Sequence, residues 1–239
     1  MFDTATGVND LALRYTQKIY DQPARKTELM DRPFYIAGSE LNGAVIQQCP
    51  GSEIMVVDFD KDRHLKSFYQ DTLVELKRRG WGTIMMPNLV NDMVVAKVRY
   101  DLDFVNALTD GRAAELDANK LGVDRSRIDA LRALPPLANT KFYVGEYLNL
   151  GIGVCRQMGV IAAATMERAI KSGDCPAWKN VEYRGLYGAV DPHAWAVVQG
   201  HSNQEVIIDP ANNFCGNARN GKYDYSGGYA GHVFGKPNT

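Results

Sequence analysis

The 239-residue chain has only four cysteines, Cys49, Cys155, Cys175 and Cys215, and they lie far apart with no close pair. That spacing argues against a zinc site built on paired cysteines and against a disulfide-dense scaffold. Charge of one sign is lacking too: 27 basic against 28 acidic side chains leave a formal charge of -1. Nothing electrostatic therefore points to nucleic acid or an anionic membrane as partner, and no basic stripe with interleaved aromatics is present. No stretch approaches the roughly 20 apolar residues that cross a bilayer. Met1-Phe2-Asp3-Thr4 begins no positive segment with an apolar run behind it, so no secretory signal is expected. Reduced thiols in a cytoplasmic protein are the expectation, and a protein exported by a dedicated secretion system would look the same. Internal repeats and low-complexity segments are also missing. The remainder, 45% apolar and 23% charged, is ordinary for a globular chain that buries a substantial core.

Several elements are legible. Leu11 to Tyr20 has helical spacing, and Asp21-Gln22-Pro23 would end it. Ile54 to Val57 is a short apolar run of strand type. Asp62 to Arg79 is expected as an amphipathic helix, with Leu65, Phe68, Tyr69, Thr72, Leu73 and Leu76 on one face and Gly80 closing it. Thr83 to Met86 reads as a second strand ending at Pro87. Asn91 to Leu134 is mostly helical, interrupted at Asp110-Gly111 and Gly122. Pro135-Pro136 then suggests a boundary between a mostly helical portion, 1-136, and a second portion, 137-239, the two together forming one compact unit. In the second portion, Cys155 to Ser172 has a helical pattern closed by Gly173. Strand-like runs follow at Val181 to Val190, Ala194 to Gln199 and Glu205 to Ile208. Gly216 to Thr239, rich in glycine and tyrosine, reads as irregular.

The chemistry gathers in this second portion. Gly151 and Gly153 precede Cys155, allowing a tight turn and close approach of a substrate backbone. The thiol then stands on a helix's first turn, where unpaired N–H groups and the helix dipole favour negative charge. Such a place favours the thiolate that a nucleophile requires, and the same N–H groups suit an oxyanion. His193 and Asp209 bracket two apolar strands joined by the turn-forming Gly200-His201-Ser202-Asn203. Their midpoint, position 201, falls in that turn, so hairpin pairing brings them close to facing each other at its open end. Asp209 then holds one imidazole nitrogen and leaves the other for a thiol. Both strands are apolar on both faces, which places them inside a covered sheet.

Three blocks, Gly153-Val154-Cys155-Arg156, His193-Ala194-Trp195 and Asp209-Pro210, resemble those of the transglutaminase-like superfamily. Separations of 38 and 16 residues fit that arrangement, and the resemblance covers roughly residues 145 to 215. It implies an α+β, papain-like core in which a buried nucleophile helix packs on an antiparallel sheet. It also implies that Cys155 is the nucleophile, that His193 is general base and acid, and that Asp209 orients the histidine. Asn149, six residues before the nucleophile, matches the amide that papain-like enzymes use as an oxyanion donor. Gly153 and Trp195 would border the substrate, although Trp195 alternates along a strand as a core residue does. The implied chemistry is acyl transfer from a carboxamide or peptide bond of a protein substrate through a Cys155 thioester, without metal or organic cofactor. The acceptor stays open: water makes a deamidase or protease, an amine makes a transglutaminase.

Two other classes compete. A catalytically silent binding module on the same fold is one, though intact Cys, His and Asp count against it. The other rests on Met55-Val56-Val57-Asp58-Phe59-Asp60, which resembles the strand-end Asp-x-Asp of haloacid-dehalogenase-type phosphatases, where paired carboxylates hold magnesium. Asp62 stands where that pattern has a small hydroxyl residue or valine, so acidic helix-capping residues are the plainer expectation. Asp101 and Asp103 do not face each other on a helix. His64 and His201 read as solvated, and His232 lies in the glycine-rich tail.

Overall fold

The computed structural model of the chain describes residues 25–26, 33–37, 41–47, 52–122, 125–132, 136–138, 141–186 and 193–217. Strands β1 (Arg25–Lys26), β2 (Pro33–Ala37), β3 (Val45–Gln47) and β4 (Ile54–Val56) come first. Helices α1 (Arg63–Arg78) and α2 (Met86–Lys97), strand β5 (Arg99–Tyr100), and helices α3 (Leu102–Thr109), α4 (Ala118–Leu121) and α5 (Arg125–Arg132) follow. Then come β6 (Lys141–Tyr143), α6 (Gly145–Leu150), β7 (Ile152–Gly153) and α7 (Cys155–Lys171). Last are β8 (Trp178–Leu186), β9 (His193–Gly200), β10 (Glu205–Asp209) and β11 (Phe214–Asn217). The architecture is α+β. Its largest sheet is antiparallel, in the order β11-β10-β9-β8-β2, beside a four-stranded mixed sheet, β1-β3-β4-β6, and the small parallel pair β5-β7.

Helix α1 forms where its apolar face predicts, and Asp62 caps it by accepting the His64 and Leu65 N–H groups at 3.1 and 2.9 Å. The strand expected at Thr83 to Met86 is instead a 3-10 turn, Thr83–Met85, running directly into α2. Pro87 does not stop this segment; it sits in the first turn of α2, where a missing N–H costs nothing and the fixed φ suits a helix. The expected helix at Leu11 to Tyr20, the end of the strand at 187–190, and the tail beyond 217 lie outside the described residues. Phe214–Asn217 pairs with β10 as an added edge strand, so the irregular stretch does not begin at Gly216.

Helix α7 lies at the centre. Every residue from Gln157 to Glu167 is buried, with β8 and β9 against one side and α2 and α1 against the other. A single hydrophobic cluster joins Leu65, Leu89 and Val94 of the first portion to Ile161, Val198 and Ile208 of the second. Residues on both sides of position 136 thus share one core. Gly159 sets how close α7 comes to β9. A Cβ there would meet Tyr183 Cε2 at 3.1 Å and the Ala194–Trp195 backbone at 3.2–3.3 Å, which only a shift of the helix relieves. This approach, one turn beyond Cys155 and one residue beyond His193, draws the start of the helix onto the start of the strand. No helix among the described residues is long and apolar enough to cross a membrane.

Candidate active site

The hairpin β9–β10 carries two of the three expected residues. Its loop is closed by Gly200 N–H donating to the Gln204 carbonyl at 2.9 Å, with Asn203 left-handed at φ 59°. A three-residue loop ending in a left-handed residue shifts the pairing from the expected centre. Ile208 pairs with Ala196, so extending the register sets Asp209 opposite Trp195 and leaves His193 on the diagonal. The displacement is two positions, an even number, so His193 and Asp209 keep one face of the sheet. A diagonal neighbour is within reach of a histidine, and Nε2 of His193 meets Oδ2 of Asp209 at 2.8 Å.

Cys155 occupies the first position of α7, 7% exposed, and shares a side-chain hydrogen bond with His193, itself 8% exposed. With Nε2 turned to Asp209, Nδ1 is the nitrogen left for sulfur. Burial by itself would push this imidazole down. The hydrogen bonds to Asp209 and Cys155, with the negative charge of both partners, outweigh it and hold His193 up at about 10. Trp195 is 2% exposed and stacks on the imidazole, ring centres 5.9 Å apart and planes 20° from parallel. Its position shields the His193–Asp209 pair from water, the role of a wall.

Val154 is the N-cap of α7 and offers no side-chain oxygen, so the first-turn N–H groups keep no intrahelical acceptor. Only half of a capping box forms: the Gln157 carbonyl oxygen accepts Val154 N–H at 2.8 Å. Gln157 also donates to Glu53, a carboxylate with no exposed surface. Arg156 clamps the same carboxylate with both forks, at 2.8 and 3.0 Å. The turn bearing Cys155 is therefore fastened to the residue just before β4 by a largely buried ion pair. Gly153 lies beneath it in β7, where a Cβ would press on Val98 at 3.0 Å and where its carbonyl accepts Asp101 N–H at 2.9 Å. A side chain at this position would need the Val98 methyl to give by a few tenths of an ångström.

Asn149 sits on α6, half-buried, its amide 3.4 Å from Glu146 Oε2. Cys155, His193 and Asp209 come together; Asn149 belongs to a neighbouring acidic cluster. There Asp62 also accepts Gly145 N–H at 2.7 Å, in a contact that leaves no room for a Cβ on Gly145. Burial, then the Asp62 charge, raise Glu146 from 4.5 to about 7, and burial raises Asp62 to about 6. His64 Nε2 stands 3.8 Å from Glu146 Oε1, and the Arg63 charge opposes the shift in Glu146. A carboxyl raised on folding stabilises fully below about pH 4.5, and that stability is lost as pH climbs through about 7. Glu146→Gln keeps the shape and removes the charge. At pH 8 it should raise folding stability by on the order of 1–3 kcal/mol, and at pH 4.5 it should change nothing, as denaturant titration at both pH values would read. An equal effect at both pH values would refute the buried-charge account.

The competing motif behaves differently. Asp58 Oδ1 accepts the N–H groups of Asp60 and Lys61 at 3.0 and 3.1 Å, closing the turn after β4, while Asp60 is exposed. Among the described residues no three His, Cys, Asp or Glu side chains gather as a metal site. Cys175 is a buried packing thiol whose Sγ lies 3.4 Å from the Thr83 carbonyl, the acceptor that Trp178 Nε1 also uses at 3.1 Å. Burial pushes Cys175 and Cys215 up to about 12. Cys49 and His232 lie outside the described residues.

Two parts of the site escaped sequence reasoning. Glu53 had no detectable signal, since nothing local ties it to Arg156 across 103 residues. Asn212 had one. An Asn three residues after Asp209, across a turn opened by Pro210, folds back over the carboxylate, and its Nδ2 donates to Asp209 Oδ2 at 2.8 Å. No family model, curated protein or solved structure matches this chain.

Proposed function

We propose that the chain is a cysteine-dependent acyl-transfer enzyme with a papain-like, transglutaminase-like core, acting on a carboxamide or peptide bond of a protein substrate. The observation that carries it is the continuous contact from Cys155 through His193 to Asp209 at a helix N-terminus whose N-cap residue, Val154, has no side-chain oxygen. With its proton held by His193, the Cys155 sulfur attacks the carbonyl carbon. The S–C bond forms, and the oxyanion takes the first-turn N–H groups of α7. As the C–N bond breaks, His193 gives its proton to the leaving nitrogen. Water, or an amine, then surrenders a proton to His193 and attacks the thioester, and the thiolate departs. Hydrolysis on a protein, as deamidase or protease, is the preferred outcome, since water as acceptor needs no second substrate site. No step calls for a metal or organic cofactor.

An activated acyl ester such as p-nitrophenyl acetate tests this. Intact mass and peptide mapping should find one acetyl group on Cys155, removable by hydroxylamine, blocked by prior iodoacetamide and indifferent to EDTA. Acetylation spread evenly over Cys155, Cys175 and Cys215 would sink the proposal. Phosphate-ester hydrolysis abolished by EDTA would instead favour the Asp58/Asp60 reading.

A further inference from the structure

We propose that Asn212 is a fourth positioning residue of this site and that helix α2 holds it there, which gives the first portion of the chain a part in the chemistry. This rests on the acyl-transfer reading above. Asp209 has no exposed surface, and its Oδ1 has no hydrogen-bond partner among the described residues. Its other oxygen carries both donors, His193 Nε2 at 2.8 Å and Asn212 Nδ2 at 2.8 Å, and that Nδ2 is also 3.2 Å from Nε2. A buried carboxylate with one donor can pivot about its Cβ–Cγ bond. Two donors converging on one oxygen fix its rotation, and with it the plane of the imidazole.

The turn that presents Asn212 is held in its own right. Pro210–Asn212 forms a 3-10 turn ending in left-handed Asn213 at φ 50°, a conformation that asparagine tolerates better than most residues. Asn213 Oδ1 accepts from Nδ2 of Asn91 at 3.4 Å, and Asn91 is a 3%-exposed polar residue in the otherwise apolar inner face of α2. α2 packs on β10, β11 and this turn as well as on α7. A buried amide costs stability unless it is bonded; here Nδ2 bonds to the turn behind the triad, while Oδ1 has no hydrogen-bond partner among the described residues.

The test is the iodoacetamide labelling rate of Cys155, read by peptide mass spectrometry at pH 6.5 and pH 9.5, in wild type, Asn212→Ala and Asn91→Ala. A misheld imidazole no longer sustains the thiolate at low pH, whereas hydroxide makes thiolate at high pH without help. Asn212→Ala should therefore label about tenfold more slowly at pH 6.5 and unchanged at pH 9.5, the loss expected for one hydrogen bond to a charged group. Asn91→Ala should show a smaller loss of the same kind. Cys175 is the internal control, because general loosening would expose it and raise its labelling. Asn212→Leu, close in size and without the donor, must repeat the pattern should the alanine protein unfold. An unchanged ratio of the two rates in both Asn212 variants overturns the proposal. Wild-type labelling that is slow and independent of His193 overturns the acyl-transfer reading, and this proposal falls with it.

Discussion

His193→Ala should slow the reaction of Cys155 with iodoacetamide at pH 6 by roughly two orders of magnitude while leaving the rate above pH 10 nearly unchanged. An ordinary thiol is less than one per cent ionised at pH 6, so rapid labelling there requires a neighbour that stabilises the anion. On the proposed reading His193 is that neighbour. It is held at about 10 by Asp209 and Cys155 against its own burial, so it keeps its proton across the neutral range. The sign follows. A histidine raised on folding contributes stability that is complete below about pH 6.5 and lost as pH rises through about 10. The alkaline limb of kcat/KM should accordingly fall near pH 10, where the leaving nitrogen loses its proton donor. Turnover of any amide substrate should drop by about 10²–10⁴ in the alanine variant. Cys175 and Cys215, pushed up by burial, should stay slow at pH 6 in both proteins. Equal rates for Cys155 in wild type and variant at pH 6 would mean that the imidazole does not activate the sulfur.

The second large effect lies behind Cys155. Glu53→Ala should destabilise the fold by about 3–5 kcal/mol, read as a shift in the denaturation midpoint at constant m-value. The cost comes from what is left over: an Arg156 guanidinium, 12% exposed, loses a bidentate partner with no exposed surface. Gln157 loses its acceptor at the same time. Burial alone would weaken the hold of Arg156 on its proton, and the adjacent Glu53 charge more than reverses that. Replacing both members, Glu53→Gln with Arg156→Met, should recover most of the loss, since the penalty belongs to an unpaired buried charge and not to a missing attraction. A Glu53→Ala protein within about 1 kcal/mol of wild type would show that water or another acceptor reaches Arg156. Because the Gln157 carbonyl oxygen caps Val154 N–H, the same change should also blur the turn that presents Cys155.

Local signals in the sequence were enough for the helices α1 and α7. In α1 a polar cap and five apolar positions with Thr72 on the same face agree, and in α7 the run at Val160 to Met166, apolar but for Thr165, points to a central helix. They failed at Thr83 to Met86, because a short apolar run before proline has no period to read, and the same proline that ends a strand can open a helix. The hairpin was legible as a pair of strands, with its register two positions away from the midpoint rule. The rule still put His193 and Asp209 on one face because side chains alternate with period two, so an even displacement preserves the face.

The sequence by itself determined helix α1, the helix on which Cys155 begins, and the common face of His193 and Asp209. All three depend on neighbours a few residues apart. Only the tertiary structure decided that sulfur meets imidazole, because that contact requires Gly159 to let α7 lie against the β9 backbone. It alone joined Glu53 to Arg156 and Asn91 to Asn213, pairs separated by 103 and 122 residues. Buried polar groups must find partners wherever the fold brings them, and no local pattern records which distant residue answers.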